Sequence, residues 1–179
     1  MTIKARAALT APRRLTAILL ATLLAGGGPA PVFAYLKFGV QRPSGIIDVK
    51  WAGPVPYFIN ERSVAEVTST QFHNAVSRAF ATWQAAPNTS LQSQFQGFTT
   101  APPGLQDQRT TLGFLDRPDL DRVLAATSFL LDSTTGEIRE ADIFFNTRFT
   151  WSVAPGGETG RVALESVALH EIGHLLGLG

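Results

Sequence analysis

The segment that most constrains this chain is an apolar helix predicted over residues 162–176. His170, Glu171 and His174 lie on it in an H-E-x-x-H pattern, and Gly177 follows where the helix is expected to end. A spacing of four residues places both imidazoles on one face of a helix, with the carboxylate beside them. Imidazoles in this arrangement bind zinc, and the neighbouring carboxylate is suited to take a proton from water. The pattern therefore predicts a zinc hydrolase site in which His170 and His174 are metal ligands and Glu171 is the general base.

The same short pattern also arises by chance on surface helices, so its context matters. Here the surrounding helix is strongly apolar, and two of the three histidines in the chain fall on its one face. This context favours a metal site over a chance match. The remaining histidine, His73, lies on a different predicted helix and is expected to have a structural role at or near the surface.

The first 34 residues are typical of an export signal. Four basic residues and no acidic residue accompany an apolar run over residues 15–25, and residues 32–34 supply the small side chains that a signal peptidase requires. The apolar run is well short of the roughly 20 residues that span a bilayer. We predict a cleaved signal peptide over residues 1–34 and secretion by bacterial-type export, with an uncleaved membrane anchor as the alternative.

The composition of the remaining 145 residues limits the possible partners. They suffice for one domain, and they carry 11 basic and 14 acidic residues, a net charge of −3. No basic stripe or aromatic platform suggests a nucleic-acid partner. The chain has no cysteine, so an exported domain must rely on core packing and bound ions. We expect a monomer without stable membrane insertion.

Hydrophobic periodicity predicts an N-terminal arm over residues 35–53 and one domain over residues 54–179. The first helix is the clearest element, because Thr68 and Gln71 form a capping box and Pro87 closes the helix. The element order is strand, helix, four strands and helix, which indicates an α+β or α/β-like fold around one sheet. The predicted strands cover residues 55–60, 91–98, 110–115, 123–131 and 138–146, and a hairpin turn covers residues 132–136.

Three segments carry a family resemblance. Residues 170–179 (HEIGHLLGLG) resemble the metzincin clan and, within it, the matrixin-like secreted metalloproteases. Residues 141–146 are similar to the strand that precedes the catalytic helix in bacterial members, and residues 75–83 are similar to their first helix. The resemblance covers about residues 50–179.

The resemblance implies a twisted, mostly parallel five-stranded sheet with two helices, the last of which binds zinc. It also implies an endopeptidase that holds an extended protein or peptide substrate in its cleft. The substrate would pair with an edge strand, for which residues 123–130 are the candidate.

The family pattern also has parts that this sequence lacks. In the resembling family, a third ligand and a methionine turn follow the zinc helix, at positions beyond residue 179, and Met1 is the only methionine. We therefore expect the C-terminal part of the catalytic domain to be missing, zinc affinity to be weak, and residues 35–179 alone to have little or no protease activity.

Two other functions remain open. The chain could be a non-catalytic secreted binding domain with a degenerate fold, or a zinc peptidase whose third ligand is a downstream glutamate. Intact His170, Glu171 and His174 argue against the first, and Gly177 with Gly179 argues against the second.

A second metal, calcium, is a weaker hypothesis. Carboxylates are dense in two short stretches, and calcium prefers oxygen ligands. No regular calcium-loop spacing is met, which favours a solvated acidic surface over a calcium site. The carboxylates concerned are Asp116, Asp119, Asp121, Asp132 and Glu137.

Overall fold

The computed structural model describes residues 37–179, so the predicted signal peptide at residues 1–34 and the first two residues of the arm lie outside the described residues. Within residues 37–179 there are nine strands and two α-helices. They are β1 Gly39–Arg42, β2 Gly45–Asp48, β3 Val55–Asn60, α1 Ser69–Gln84, β4 Ser93–Thr99, β5 Thr111–Leu115, β6 Ala125–Leu131, β7 Ile138–Asn146, β8 Trp151–Ser152, β9 Val162–Ala163 and α2 Leu164–Leu175.

Five of these strands form the central sheet, in the order β4-β3-β5-β7-β6. Strands β4, β3, β5 and β7 are parallel, and β6 pairs antiparallel with β7 through the hairpin at residues 132–136. The predicted α+β fold with a mostly parallel five-stranded sheet is confirmed. Because β6 pairs on one side only, the strand proposed to receive substrate lies at an edge of the sheet.

Both helices bury an apolar stripe against this sheet and against each other. Helix α1 begins with the predicted capping box, in which the Thr68 hydroxyl accepts from the Gln71 N–H and the Gln71 side chain accepts from the Thr68 N–H. The ring of Phe72 on α1 packs edge-on against Phe114 and Phe145, and full burial of such a side chain stabilises the fold by roughly 1.5–3 kcal/mol. Helix α2 buries Leu164, Ala168, Ile172 and Leu175 completely.

The structure differs from the sequence-based boundaries in several places, and β6 begins at Ala125 where a start at residue 123 was predicted. The arm contains an antiparallel hairpin of β1 and β2, which the sequence did not predict. Helix α2 starts at Leu164 because Val162 and Ala163 pair with β8. Strand β4 starts at Ser93 and contains an irregularity beside Gly97, whose φ is 121°. Among the described residues, no helix is long and apolar enough to cross a bilayer.

Candidate active site

The two motif histidines lie on the side of α2 that faces away from its buried stripe. His170 is exposed and His174 is half-buried. Their Nε2 atoms are 3.1 Å apart, with the two rings nearly perpendicular at 85°. Zinc–nitrogen bonds of about 2.0–2.1 Å in a tetrahedral site separate two nitrogen ligands by about 3.4 Å. The separation in this structure therefore suits one ion held by both imidazoles.

The end of α2 fixes the orientation of His174. The Leu178 N–H donates to the Gly173 carbonyl (3.0 Å) and the Gly177 N–H to the His174 carbonyl (2.8 Å), which together form a Schellman cap. Gly177 adopts a φ of 88°, which favours glycine. This turn brings the Leu178 carbonyl to 2.8 Å from His174 Nδ1. Since a carbonyl only accepts, Nδ1 carries a proton, and Nε2 of the neutral ring keeps its lone pair for a metal.

Glu171 lies on the other side of the same helix turn, towards the sheet. Its side chain is only 5% exposed. The Thr127 Oγ1 on β6 lies 2.7 Å from Glu171 Oε2 and 3.0 Å from the Glu171 carbonyl oxygen. The carboxylate is thus held between α2 and the edge strand.

Helix α1 supports the zinc-motif helix through Trp83. The Trp83 Nε1–H donates to the Leu169 carbonyl (2.8 Å), and a Cβ on Gly173 would come within 3.0 Å of the indole ring. The absence of a side chain at Gly173 therefore allows the two helices to approach closely. Next to this contact is a cleft of about 580 Å³, lined by Thr82, Trp83, Ala86, Ser166, Leu169, His170, Gly173, His174, Leu178 and Gly179.

The N-terminal arm also contacts the candidate site. The Phe38 N–H donates to the Gly177 carbonyl (2.7 Å), and the Phe38 ring lies 6.0 Å from the His174 ring between centroids. The Trp51 Nε1–H donates to the Leu175 carbonyl (2.9 Å). The sequence predicted the arm as a lead-in only. No local pattern could reveal these contacts, because they join residues more than 120 positions apart.

Asn146 organises the loop that leads into β6. It is fully buried, and its Nδ2 donates to the carbonyls of Arg117 (3.1 Å), Leu120 (2.9 Å) and Val123 (3.2 Å). Its Oδ1 accepts from the N–H groups of Arg117 (3.3 Å) and Arg148 (3.2 Å). Sequence analysis placed Asn146 at the end of a strand but did not identify this role.

Two buried carboxylates on β7 anchor the segment between β4 and β5. Asp142 accepts from the N–H groups of Gly104 (2.5 Å) and Thr111 (2.7 Å), and Glu140 accepts from the Gln108 N–H (2.6 Å). Burial raises the pKa of Asp142 to about 6, against the lowering effect of its two backbone donors. Burial also raises the pKa of Glu140.

The remaining candidate residues stay apart from the histidine pair. The His73 ring stacks on Phe95 with centroids 3.9 Å apart, its Nε2 lies 3.1 Å from Ser77 Oγ, and burial lowers its pKa. The contacts of His73 are thus with α1 and β4. Strand β4 lies at the opposite edge of the sheet from β6.

Three of the five acidic residues considered for calcium pair with arginines, and Asp116 accepts from the Thr147 hydroxyl. Asp119 binds Arg117 (2.7 Å), while Glu137 (2.9 Å) and Asp132 (3.4 Å) bind Arg139. Over residues 37–179, no group of three or more His, Cys, Asp or Glu side chains could hold a metal ion. The site in this part of the chain therefore offers two imidazole ligands and an adjacent carboxylate.

Comparison with known proteins agrees with this geometry. A family model described as matrixin matches residues 50–179, which is well over half of the chain. Matrixins are in general zinc-dependent metalloendopeptidases. The match spans α1, the five-stranded sheet and α2, and it confirms the resemblance proposed from the sequence. A search of curated proteins finds no significant match.

Proposed function

We propose that this chain, which belongs to the matrixin family, is a secreted zinc endopeptidase. In this proposal His170 and His174 are the metal ligands and Glu171 is the general base. The observation that carries the proposal is the 3.1 Å separation of the two Nε2 atoms. The Glu171 carboxylate, on the same helix turn, is held by Thr127. Neutral imidazoles are suitable zinc ligands, and the His174 Nδ1–H bond to Leu178 orients one of them in advance. The residues present therefore fit a zinc ion.

When bound, zinc supplies a Lewis acid that acidifies a water molecule and polarises the scissile carbonyl. The Glu171 carboxylate accepts the proton that the water loses and then donates it to the leaving amine. Its low exposure keeps bulk water from competing for that proton. The other carboxylate oxygen has no hydrogen-bond partner within residues 37–179 and can take part in this transfer.

An extended peptide is the proposed substrate. Strand β6 has one unpaired edge, and its Thr127 contacts Glu171. A peptide that pairs with this edge would place a backbone carbonyl near the histidines. The cleft beside His170 and His174 is lined largely by apolar groups, including Trp83 and Leu169, which favours an apolar substrate side chain there.

Two further parts of the proposal concern export and the isolated domain. We place the protein outside the cell because of the signal-like residues 1–34. We also expect residues 35–179 alone to bind zinc weakly and to have little or no protease activity, because the described residues bring no third metal ligand to His170 and His174.

The test uses the full-length protein, meaning a chain that includes the C-terminal part of the catalytic domain expected beyond residue 179. The substrate is casein, and the comparison is between Glu171→Gln and His170→Ala. Glu171→Gln should reduce cleavage at least about 100-fold, since a general base contributes that much, and should retain zinc. His170→Ala should lose both zinc and activity. Loss of zinc in Glu171→Gln would contradict the assigned base. Wild-type protein without chelator-sensitive cleavage would favour a non-catalytic binding domain instead.

A further inference from the structure

The contact between Thr127 and Glu171 joins the edge strand to the motif helix across 44 positions of sequence. Thr127 lies opposite Ile143 in the β6–β7 ladder, and this register fixes the position of its backbone. Its side chain is half-buried, so few waters can compete with it. The hydroxyl is therefore presented to Glu171 in a fixed direction.

A threonine hydroxyl has one proton and two acceptors are within reach. Glu171 Oε2 lies at 2.7 Å and the Glu171 carbonyl oxygen at 3.0 Å. A bond to an ionised oxygen is shorter and stronger than one to a neutral carbonyl. The distances therefore favour donation to the carboxylate.

Donation to Oε2 leaves the two carboxylate oxygens in different environments. Within residues 37–179, Oε1 of Glu171 has no hydrogen-bond partner, whereas Oε2 is engaged by Thr127. A free glutamate side chain samples several rotamers, and ordering it during a reaction raises the barrier. A hydrogen bond made beforehand removes that entropic cost from the chemical step.

We propose that Thr127 is a positioning residue that holds Glu171 in one rotamer and reserves Oε1 for the proton of the attacking water. This role rests on the proposed endopeptidase function. The competing role is purely structural, with the hydroxyl donating to the Glu171 carbonyl and fastening β6 to α2.

Kinetic measurements on the full-length protein test whether Thr127 contributes to catalysis. Thr127→Val keeps the shape and removes the hydroxyl, so kcat should fall about 10-fold while KM stays within about twofold. Zinc content should not change. Thr127→Ser restores the donor and should recover most of kcat. Thr70→Val makes the same substitution at an exposed position of α1 and should have no effect.

Unchanged kcat in Thr127→Val would overturn the proposal, as would an equal loss in Thr127→Ser. If the wild-type enzyme shows chelator-sensitive cleavage and Thr127→Val cleaves equally fast, only the role of Thr127 is refuted. Wild-type protein without such cleavage refutes the endopeptidase function, and the catalytic role of Thr127 with it.

A second measurement identifies the acceptor without using activity. The urea unfolding midpoint of the metal-free protein is compared among wild type, Thr127→Val, Glu171→Met and the double variant. If the Thr127 hydroxyl donates to the Glu171 carboxylate, Thr127→Val should lower the unfolding midpoint more when Glu171 is present than in the Glu171→Met background. Equal losses would show that the acceptor is the backbone carbonyl and would overturn the proposal.

Discussion

At the scale of single residues, the geometry of the proposed metal site depends on how α2 ends. Gly177 takes a left-handed conformation, and this turn directs the Leu178 carbonyl onto His174 Nδ1. A Cβ at Gly177 would clash with the Val49 carbonyl oxygen of the arm. One glycine therefore serves the helix cap, the imidazole orientation and the packing of the arm together.

Gly177→Ala should destabilise the protein and weaken zinc binding. The left-handed conformation costs an alanine about 1 kcal/mol, and relief of the clash with Val49 adds to that. The melting temperature of the metal-free protein should fall by several degrees, and zinc affinity should fall because His174 loses its fixed acceptor. Gly53→Ala is the control, since a Cβ there meets no atom within 4 Å. Equal melting temperatures for the two variants would contradict this account.

The sequence was sufficient to predict some of these residues but not others. His170, Glu171, His174 and Gly177 follow a local pattern from which helix geometry predicts a candidate metal site. Thr127 carries no such pattern, because its role depends on a contact with a distant helix. Site residues that depend on strand order are visible only after the fold is known.

At the scale of elements, the entry to β6 is set by the side chain of Asn146. Four of its five hydrogen bonds go to backbone groups of the loop over residues 117–123, and the fifth goes to the Arg148 N–H. This loop leads directly into the strand proposed to bind substrate. The position of that edge therefore depends on one buried amide.

Asn146→Ala should loosen this loop and β6 more than the rest of the sheet. Removal of the amide takes the side-chain partner from the Val123 carbonyl and from the N–H groups of Arg117 and Arg148, at a cost on the order of 3 kcal/mol. Amide hydrogen exchange should increase over residues 117–127, while exchange within α1 stays near its wild-type rate. Asn74→Ala, at an exposed position of α1, is the control. Uniformly faster exchange across both regions would show that the loss is global instead.

Periodicity predicted the central elements well and the peripheral ones poorly. Strands β3 and β7 have the predicted bounds because their residues are predominantly apolar and buried. The β1–β2 hairpin was missed because its residues are largely exposed and show no apolar alternation. The pair β8–β9 was missed because two-residue strands have no period.

At the scale of the whole molecule, packing joins segments far apart in sequence around α2. The arm covers its C-terminal end through Phe38 and Trp51, and α1 supports its middle through Trp83. The sequence-based boundary at residue 53 therefore separates segments that share contacts in the folded protein. Elsewhere in the sheet, Glu140 and Asp142 of β7 anchor the segment between β4 and β5.

The buried carboxylate of Asp142 should make global stability depend on pH. Its pKa is raised from 3.8 to about 6 in the folded protein, so between these values the folded state binds more protons than the unfolded state. The free energy of unfolding should therefore decrease as pH rises from about 4 to 6, by an amount on the order of 3 kcal/mol from this group. Glu140 shifts in the same direction. Urea unfolding at a series of pH values measures the slope.

Asp142→Asn should flatten this slope, although it also lowers stability at every pH, because an amide nitrogen then faces a backbone donor. Asp121→Asn removes one charge from an exposed turn and controls for the change in net charge. A direct measurement of the Asp142 carboxyl by NMR titration separates its contribution from that of Glu140. If the slope between pH 4 and 6 were the same in Asp142→Asn and in wild type, Asp142 would not be the group that titrates with folding.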